Sequence, residues 1–249
     1  MHYSFKTILK SFPKEKRKGD SFLIGRFFSR PLSFVFTFIF INIGISAWLA
    51  SVLSAVCALA GCILFAIDNI VCSWVGVSLI LFWTILDCVD GNIARITNTQ
   101  GPFGEFMDAE SGYVICAFIY LSIGIKASYS TILFSQFSFL PIIFGAIASI
   151  CDIYSRLIHQ KFSNSQYKIK SEDPNYNISL QNAESSSLLT RVRKFLSVEI
   201  GVAGLVLLCM ITGLVFPFLL DYVVLFYFAF CGLSALLISA LLSIKARKK

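Results

Sequence analysis

The sequence predicts an all-α integral membrane protein with six transmembrane helices, an N-terminal interfacial helix and a polar cavity that opens to the cytoplasmic side. Of the 249 residues, 57% are hydrophobic and only 14% are charged, a composition that is not typical of soluble globular domains. Several uncharged runs reach the ~20 residues that a helix needs to cross a bilayer. The runs are 31–67, 69–86, 111–125, 127–151, 200–220 and 222–244. Acidic residues lie where two of these runs end, which indicates a polar site.

The chain divides into a basic N-terminal segment, residues 1–44, and a six-span domain, residues 45–249. Within the first segment, Ser21–Arg30 mixes basic and large apolar residues, as amphipathic stretches on a membrane surface do. In the second, residues 157–197 are rich in Ser, Asn, Gln and Lys and lack apolar periodicity. We expect a partly disordered cytoplasmic loop there, with Ser187–Phe195 as a second interfacial helix.

The first uncharged run cannot form a single span. Its 37 residues would make a helix ~55 Å long, nearly twice the thickness of the hydrocarbon core. Asn and Gly interrupt helices, so we expect a break near residues 42–44. Pro31–Ile41 is then a short interfacial or re-entrant helix, and the first span is about Ile45–Ile67.

The remaining spans follow from the positions of charges and turns. We expect the second from Ile70 past Leu86, the third from Phe103 to Ile125, the fourth through Pro141 to Asp152 and Arg156, the fifth at Val198–Phe216 and the sixth at Leu219–Ile244. Because proline lacks an N–H group, we expect Pro141 to kink the fourth span.

Basic residues set the orientation of the protein. With six spans and both termini inside, 20 of the 21 Lys and Arg residues fall on one side and only Lys126 on the other. This is the positive-inside pattern, so the N- and C-termini are predicted to be cytoplasmic. We expect the plasma membrane, and an organelle membrane stays the alternative because this pattern does not distinguish the two. The net charge of +7 then reflects topology and contact with the lipid bilayer, and we expect no nucleic-acid partner.

Three carboxylates, Asp87, Asp90 and Asp108, lie near the ends of two apolar runs. One ionised carboxylate at the bilayer centre costs ~2.5–3.5 kcal/mol, so three without partners would cost about 8–10 kcal/mol. Asp87 and Asp90 are three residues apart and share a helical face. Carboxylates in a water-filled cavity suit a hard divalent cation such as Mg²⁺. Next to them, Gly91 allows a ligand to approach the backbone, and Arg95 offers donors that suit phosphate.

These residues belong to the string D-x-x-D-G-x-x-A-R-x(8)-G-x-x-x-D, which resembles the signature of the CDP-alcohol phosphatidyltransferase family. Its fixed positions are Asp87, Asp90, Gly91, Ala94, Arg95, Gly104 and Asp108. The resemblance implies a membrane enzyme that moves a phosphoalcohol, such as a phosphatidyl group, from a CDP-linked donor to an acceptor hydroxyl and releases CMP. Such enzymes act in phospholipid or related glycoconjugate biosynthesis. The resemblance also implies Mg²⁺ or Mn²⁺ as cofactor, and commonly a homodimer.

The family roles carry over residue by residue. They make Asp87, Asp90 and Asp108 metal ligands, place Gly91 and Ala94 against the cytidine end of the donor, make Arg95 a polar anchor, and make Gly104 a close-packing position. Arg156 lies where some members bind an acceptor phosphate. A local salt bridge between Asp152 and Arg156, four residues apart, is an equally good interpretation of that residue.

One position departs from the family pattern. The family has a fourth Asp four residues after the third, taken as the general base, and here that residue is Gly112. Glu110 is ~200° around the helix from Asp108, whereas Glu105 lies on a better face. The base is therefore Glu105, Asp108, a metal-bound water or the acceptor's own phosphate, and the sequence does not choose among them. Losing a positioned base costs ~10²- to 10⁴-fold in rate.

Four alternatives remain at this stage. The acids form an intramembrane ion-pair network, against which stands that Arg95 is the only nearby cation and one Arg cannot pair three Asp residues. The chain is a non-catalytic family member that binds metal and CDP-alcohol, because Gly112 replaces the base. Or the acids form an ion or proton pathway, which predicts flux without a nucleotide. For Gly112 itself, the alternative is a small residue at a close helix crossing.

Overall fold

The computed structural model describes residues 3–10, 29–172 and 203–247, and all regular secondary structure in these ranges is α-helical. Its eight helices are α1 (Phe5–Lys10), α2 (Arg30–Asn42), α3 (Ala47–Ala66), α4 (Ile70–Thr97), α5 (Pro102–Ser128), α6 (Leu140–Glu172), α7 (Ala203–Val215) and α8 (Leu219–Arg247). The expected all-α class is confirmed for the described part of the chain.

Five of these helices, α3, α4, α5, α6 and α8, are long and apolar enough to cross a membrane. Their outer surfaces carry large apolar side chains, such as Val71 and Leu236, whose exposed fractions are 66% and 71%. Apolar surface of this extent requires lipid rather than water around it. The chain is therefore a multi-pass membrane protein. The described part of the predicted fifth span, α7, has 13 residues.

The predicted break in the first apolar run is confirmed. Helix α2 ends at Asn42, and α3 begins at Ala47. Gly44 lies between them with φ of +85°, a left-handed conformation that glycine adopts without a steric penalty. Ser46 then caps α3, because its side chain accepts a hydrogen bond from the backbone N–H of Leu49.

Two expectations about the fourth span were wrong. Pro141 is the second residue of α6, where the missing N–H costs no helical hydrogen bond, so it starts the helix instead of kinking it. Helix α6 also continues past Arg156 to Glu172, over residues that we expected to be a loop. Polar residues such as Lys and Gln form helices well in water, so lack of apolar periodicity did not indicate a loop there. The predicted interfacial helix at Ser187–Phe195 and most of the amphipathic stretch, 21–28, lie outside the described residues.

Helix α3 lies at the centre of the packing around the acidic motif. It packs along both α4 and α5, whereas α4 and α5 touch each other at few points. The α3–α4 contact is close because it is made by glycine: a Cβ built on Gly76 would lie 2.5 Å from the backbone nitrogen of Phe65. The motif-bearing ends of α4 and α5 are thus held on either side of α3 and not packed directly together.

Candidate functional site

Asp90 is the most firmly held of the three motif carboxylates. Its side chain lies near the end of α4, and the residue is only 4% exposed. Oδ2 accepts a hydrogen bond of 2.5 Å from the hydroxyl of Ser51 on α3, and Oδ1 accepts one from the backbone N–H of Gly91. A buried carboxylate needs such partners, and here they fix its orientation. Asp90 is therefore set in place by the fold before any ligand binds.

Asp87 and Asp108 lie in the same region. The carboxylate of half-buried Asp87 is close enough to those of Asp90 and Asp108 to interact electrostatically with both. Arg30, the first residue of α2, supplies a positive charge near Asp87. Asp108 is exposed on the first part of α5. The structure thus brings the three predicted carboxylates into one acidic region made by α4 and α5.

These oxygen atoms suit a hard divalent cation in their chemistry. Their arrangement is looser than a finished metal site: among residues 3–10, 29–172 and 203–247, no three His, Cys, Asp or Glu side chains converge closely enough to hold an ion. A cation would offset the mutual repulsion of the three carboxylates. The chemistry of these oxygen atoms suits Mg²⁺, but their spacing does not form a metal site, and the metal ligands stay a prediction.

The guanidinium of Arg95 lies beside the acids. Its Nη2 donates a hydrogen bond of 2.7 Å to Oδ1 of Asn92, one turn earlier on α4. It also lies next to Gly91, because a Cβ built there would be in ordinary van der Waals contact, 3.4 Å from Nη1 of Arg95. Gly91 and Ala94 are both half-buried. The guanidinium of Arg95 therefore lies directly beside the backbone of Gly91.

A second polar group ties the three helices together next to the acids. The hydroxyls of Ser54 on α3 and Ser111 on α5 are 2.7 Å apart, and Nε1 of Trp83 on α4 donates to Ser111 at 3.0 Å. All three side chains are buried. Ser111 lies one residue before Gly112, so this group fixes the position of α5 where the missing carboxylate would be.

The two motif-region glycines of α5 do not pack against the part of the chain that the structure describes. A Cβ built on Gly104 or on Gly112 meets no atom of the described residues within 4 Å. Among the described residues, neither the family-derived packing role of Gly104 nor the alternative of a close helix crossing at Gly112 has a contact that supports it, and both stay predictions. Helix α5 packs against α3 and α6, and its buried residues begin at Ser111, so its first turns are exposed in the described part of the chain. Glu105 and Glu110 are both exposed there.

Arg156 forms the local pair that the sequence offered as one interpretation. Its Nε lies 3.5 Å from Oδ2 of Asp152, and the two side chains are only 9% and 7% exposed. The ion pair is therefore buried inside the helical bundle. The role of Arg156 toward a substrate stays a prediction.

Sequence reasoning missed Ser51, Asn92 and Arg30. Ser51 is a single hydroxyl in an apolar span, and its register against α4 depends on how the helices cross. Asn92 was detectable in part, because it lies three residues before Arg95 and so shares its helical face. Arg30 was assigned to membrane-surface charge, yet it begins the helix that packs against α4.

These helices and this acidic region define a polytopic membrane protein that holds three aspartates near one another beside its apolar core. A scan against models of protein families matches residues 33–161, slightly more than half of the chain, to CDP-alcohol phosphatidyltransferase. The chain belongs to this family, whose enzymes transfer a phosphoalcohol from a CDP-alcohol with release of CMP. A search of curated proteins found no match.

Proposed function

We propose that this protein is an active CDP-alcohol phosphotransferase that uses the cleft between α3, α4 and α5. It would pass a phosphoalcohol group from a CDP-linked donor to an acceptor hydroxyl and release CMP, in phospholipid or related glycoconjugate biosynthesis. The observation that supports this most strongly is the preset orientation of Asp90 by Ser51, close to Asp87 and Asp108. Preorganised carboxylates in a buried position are expected of a reaction site and are costly elsewhere.

In this proposal Asp87, Asp90 and Asp108 hold Mg²⁺ or Mn²⁺. A bound divalent cation polarises a pyrophosphate and offsets the negative charge that develops in transfer. Arg95 binds a donor phosphate through its planar donors, and Asn92 holds that guanidinium in place. The cytidine end of the donor then lies along the small residues of α4, Gly91 and Ala94, and across the open space at Gly104 on α5.

The acceptor hydroxyl must lose a proton, and Gly112 has no side chain to take it. Asp108 and Glu105 are on one face of α5, both exposed toward the open space at its start, so we assign the proton to one of these two carboxylates. Either group is less well placed than a carboxylate at position 112 would be, which predicts slow turnover.

The empty position 112 also favours a second candidate, a family member that binds CDP-alcohol without turnover. The two candidates differ in one observable. The enzyme releases CMP when donor and acceptor are both present, whereas the binding protein retains intact CDP-alcohol.

We further propose six spans, with α7 as part of the fifth, a cleft that opens to the cytoplasm, and cytoplasmic N- and C-termini at the plasma membrane. The asymmetric distribution of Lys and Arg supports this orientation. Homodimer formation is proposed from family membership alone.

The proposed function is tested by offering the purified protein a panel of CDP-alcohols and acceptor alcohols with Mg²⁺ and measuring CMP. We expect Mg²⁺-dependent CMP release that is lost in Asp90→Asn. Ser73→Ala is the matched control, because Ser73 is also buried on α4 but lies at the opposite end, bonded to backbone oxygens. Binding of CDP-alcohol without CMP release from any pair would favour the second candidate.

A further inference from the structure

Asn92 is a buried polar residue on the motif helix that no motif position accounts for. It is 3% exposed and makes three side-chain hydrogen bonds. Its Oδ1 accepts from Nη2 of Arg95 at 2.7 Å. Its Nδ2 donates to the hydroxyls of Ser33 and Thr37 on α2, both at 3.2 Å. One amide therefore joins the phosphate-binding arginine of α4 to the helix that precedes the first span.

The direction of these bonds is fixed by their chemistry. A guanidinium only donates, so the oxygen of Asn92 must face Arg95 and its NH₂ group must face α2. Ser33 already donates its own hydrogen to the backbone oxygen of Arg30 at 2.8 Å, which leaves its lone pairs free to accept from Asn92. An amide turned the other way would place two donors against Arg95. Every hydrogen bond in this series therefore has a fixed direction. Arg95 donates to Asn92, Asn92 donates to Ser33, and Ser33 donates to the backbone of α2.

Helix α2 has no other buried polar residues among its described side chains besides these two hydroxyls. Ser33 and Thr37 are fully buried against α4, and the apolar side chains of α2, such as Phe36, pack on the same helix. Arg30 at its start acts electrostatically on both Asp87 and Arg95. Helix α2 thus interacts with the acidic region in two ways. The charge of Arg30 acts on Asp87 and Arg95, and the hydroxyls of Ser33 and Thr37 accept hydrogen bonds from Asn92.

We propose that Asn92 is a positioning residue that holds Arg95 for a donor phosphate and makes the seating of α2 a determinant of nucleotide affinity. The proposal rests on the proposed function, since it assumes that Arg95 binds the phosphate of a cytidine nucleotide. Asn92 itself does not contact the reacting atoms. Its effect passes through Arg95, so its contribution disappears when Arg95 is removed.

A double-mutant cycle tests this dependence. The affinity of cytidine diphosphate with Mg²⁺ is measured by calorimetry on the full chain in detergent, for wild type, Asn92→Ala, Arg95→Ala and the double variant. Hydrogen bonds to charged groups predict that Asn92→Ala weakens binding about 10-fold. The double variant should bind no more weakly than Arg95→Ala alone. Independent, multiplicative losses would overturn the positioning role.

A second pair of changes tests the link to α2. Ser33→Ala with Thr37→Val removes the partners of the amide but leaves Arg95 and Asn92 intact. We expect a severalfold loss of nucleotide affinity, and no further loss when Asn92→Ala is added. If nucleotide affinity is unchanged and only the unfolding temperature falls, these hydrogen bonds stabilise the fold without affecting the site, and the proposed role of α2 is wrong. This pair also keeps the proposal open to refutation when Asn92→Ala fails to fold.

Nucleotide binding by the wild type distinguishes a failure of the positioning role from a failure of the proposed function. If it binds cytidine diphosphate and the cycle is additive, the positioning role alone fails. If it does not bind the nucleotide at all, the proposed function and this inference fail together. Ser73→Ala serves as the control, and its affinity should equal that of the wild type.

Discussion

Replacing Ser51 by alanine removes one hydroxyl from the cleft and nothing else. That hydroxyl donates to Oδ2 of Asp90 at 2.5 Å, and both residues are 4% exposed. Water does not reach this position easily, so the carboxylate loses a partner that solvent does not replace. Asp90 keeps its bond from the N–H of Gly91. The substitution therefore changes how Asp90 is oriented without changing its charge.

The size of the effect follows from that single bond. A hydrogen bond to a charged group contributes about 1.5–3 kcal/mol, and tenfold corresponds to 1.4 kcal/mol. We therefore expect Ser51→Ala to lower kcat/KM for the CDP-alcohol by about 10- to 150-fold. Most of the loss should appear at low Mg²⁺ concentration, because the proposed role of Asp90 is to hold the cation.

The assay is CMP release at donor concentrations below KM, over a series of Mg²⁺ concentrations. Ser51→Thr keeps the hydroxyl and should recover most of the activity. Ser73→Ala on the same bundle should match the wild type. A Ser51→Ala enzyme within twofold of wild type at every Mg²⁺ concentration would refute the claim that this bond presets the site.

Three further predictions concern single positions. Gly112→Asp should raise kcat about 100-fold or more, since it supplies a carboxylate where a Cβ meets no atom of the described residues within 4 Å. An unchanged kcat would show that another group already serves as an efficient base. Gly145→Ala should lower the free energy of unfolding by about 1–3 kcal/mol, because its Cβ would overlap the backbone oxygen of Tyr120 where α6 packs on α5. Gly104→Ala is the control and should change it by less than about 0.5 kcal/mol. Equal free energies of unfolding in detergent for the two variants would contradict the close packing of α5 on α6. Asp221→Ala should lower the free energy of unfolding by about 1–3 kcal/mol, since this 1% exposed carboxylate accepts two backbone N–H bonds from the segment between α5 and α6. CMP release measured below the unfolding transition should be unaffected. A loss of activity without a loss of stability would contradict a purely structural role.

The helices were largely predictable because membrane spans follow from simple quantities. The length of an apolar run limits how many spans it can form, and residues that interrupt helices, such as Asn42 and Gly44, indicate where it breaks. Predicted ends near Ile67, Ile70 and Leu219 agree with α3, α4 and α8 to within a residue or so. The extension of α6 to Glu172 was not predictable in this way, because a helix beyond the apolar run is stabilised by propensity and leaves no hydropathy signal.

For the candidate site, the sequence predicted which residues share a face of one helix but not which residues of other helices contact them. Spacing placed Asp87 and Asp90 on one face of α4, and the motif drew attention to Arg95. The partners that orient these groups come from other helices: Ser51 from α3, and Ser33 from α2. Which residues meet across a helix crossing depends on packing geometry, to which small residues such as Gly76 contribute. The sequence shows the small residue but not the register that it permits.

The most direct test of the central claim is to measure Mn²⁺ binding by electron paramagnetic resonance, with and without cytidine diphosphate. The central claim is that Asp87, Asp90 and Asp108 form one divalent-cation site for the nucleotide donor. We expect the wild type to bind Mn²⁺ more tightly when the nucleotide is present, and each of the three Asp→Asn variants to lose most of that binding. Glu110→Gln, an exposed acid on another face of α5, should bind as the wild type does. Unchanged Mn²⁺ binding in all three aspartate variants would contradict the account.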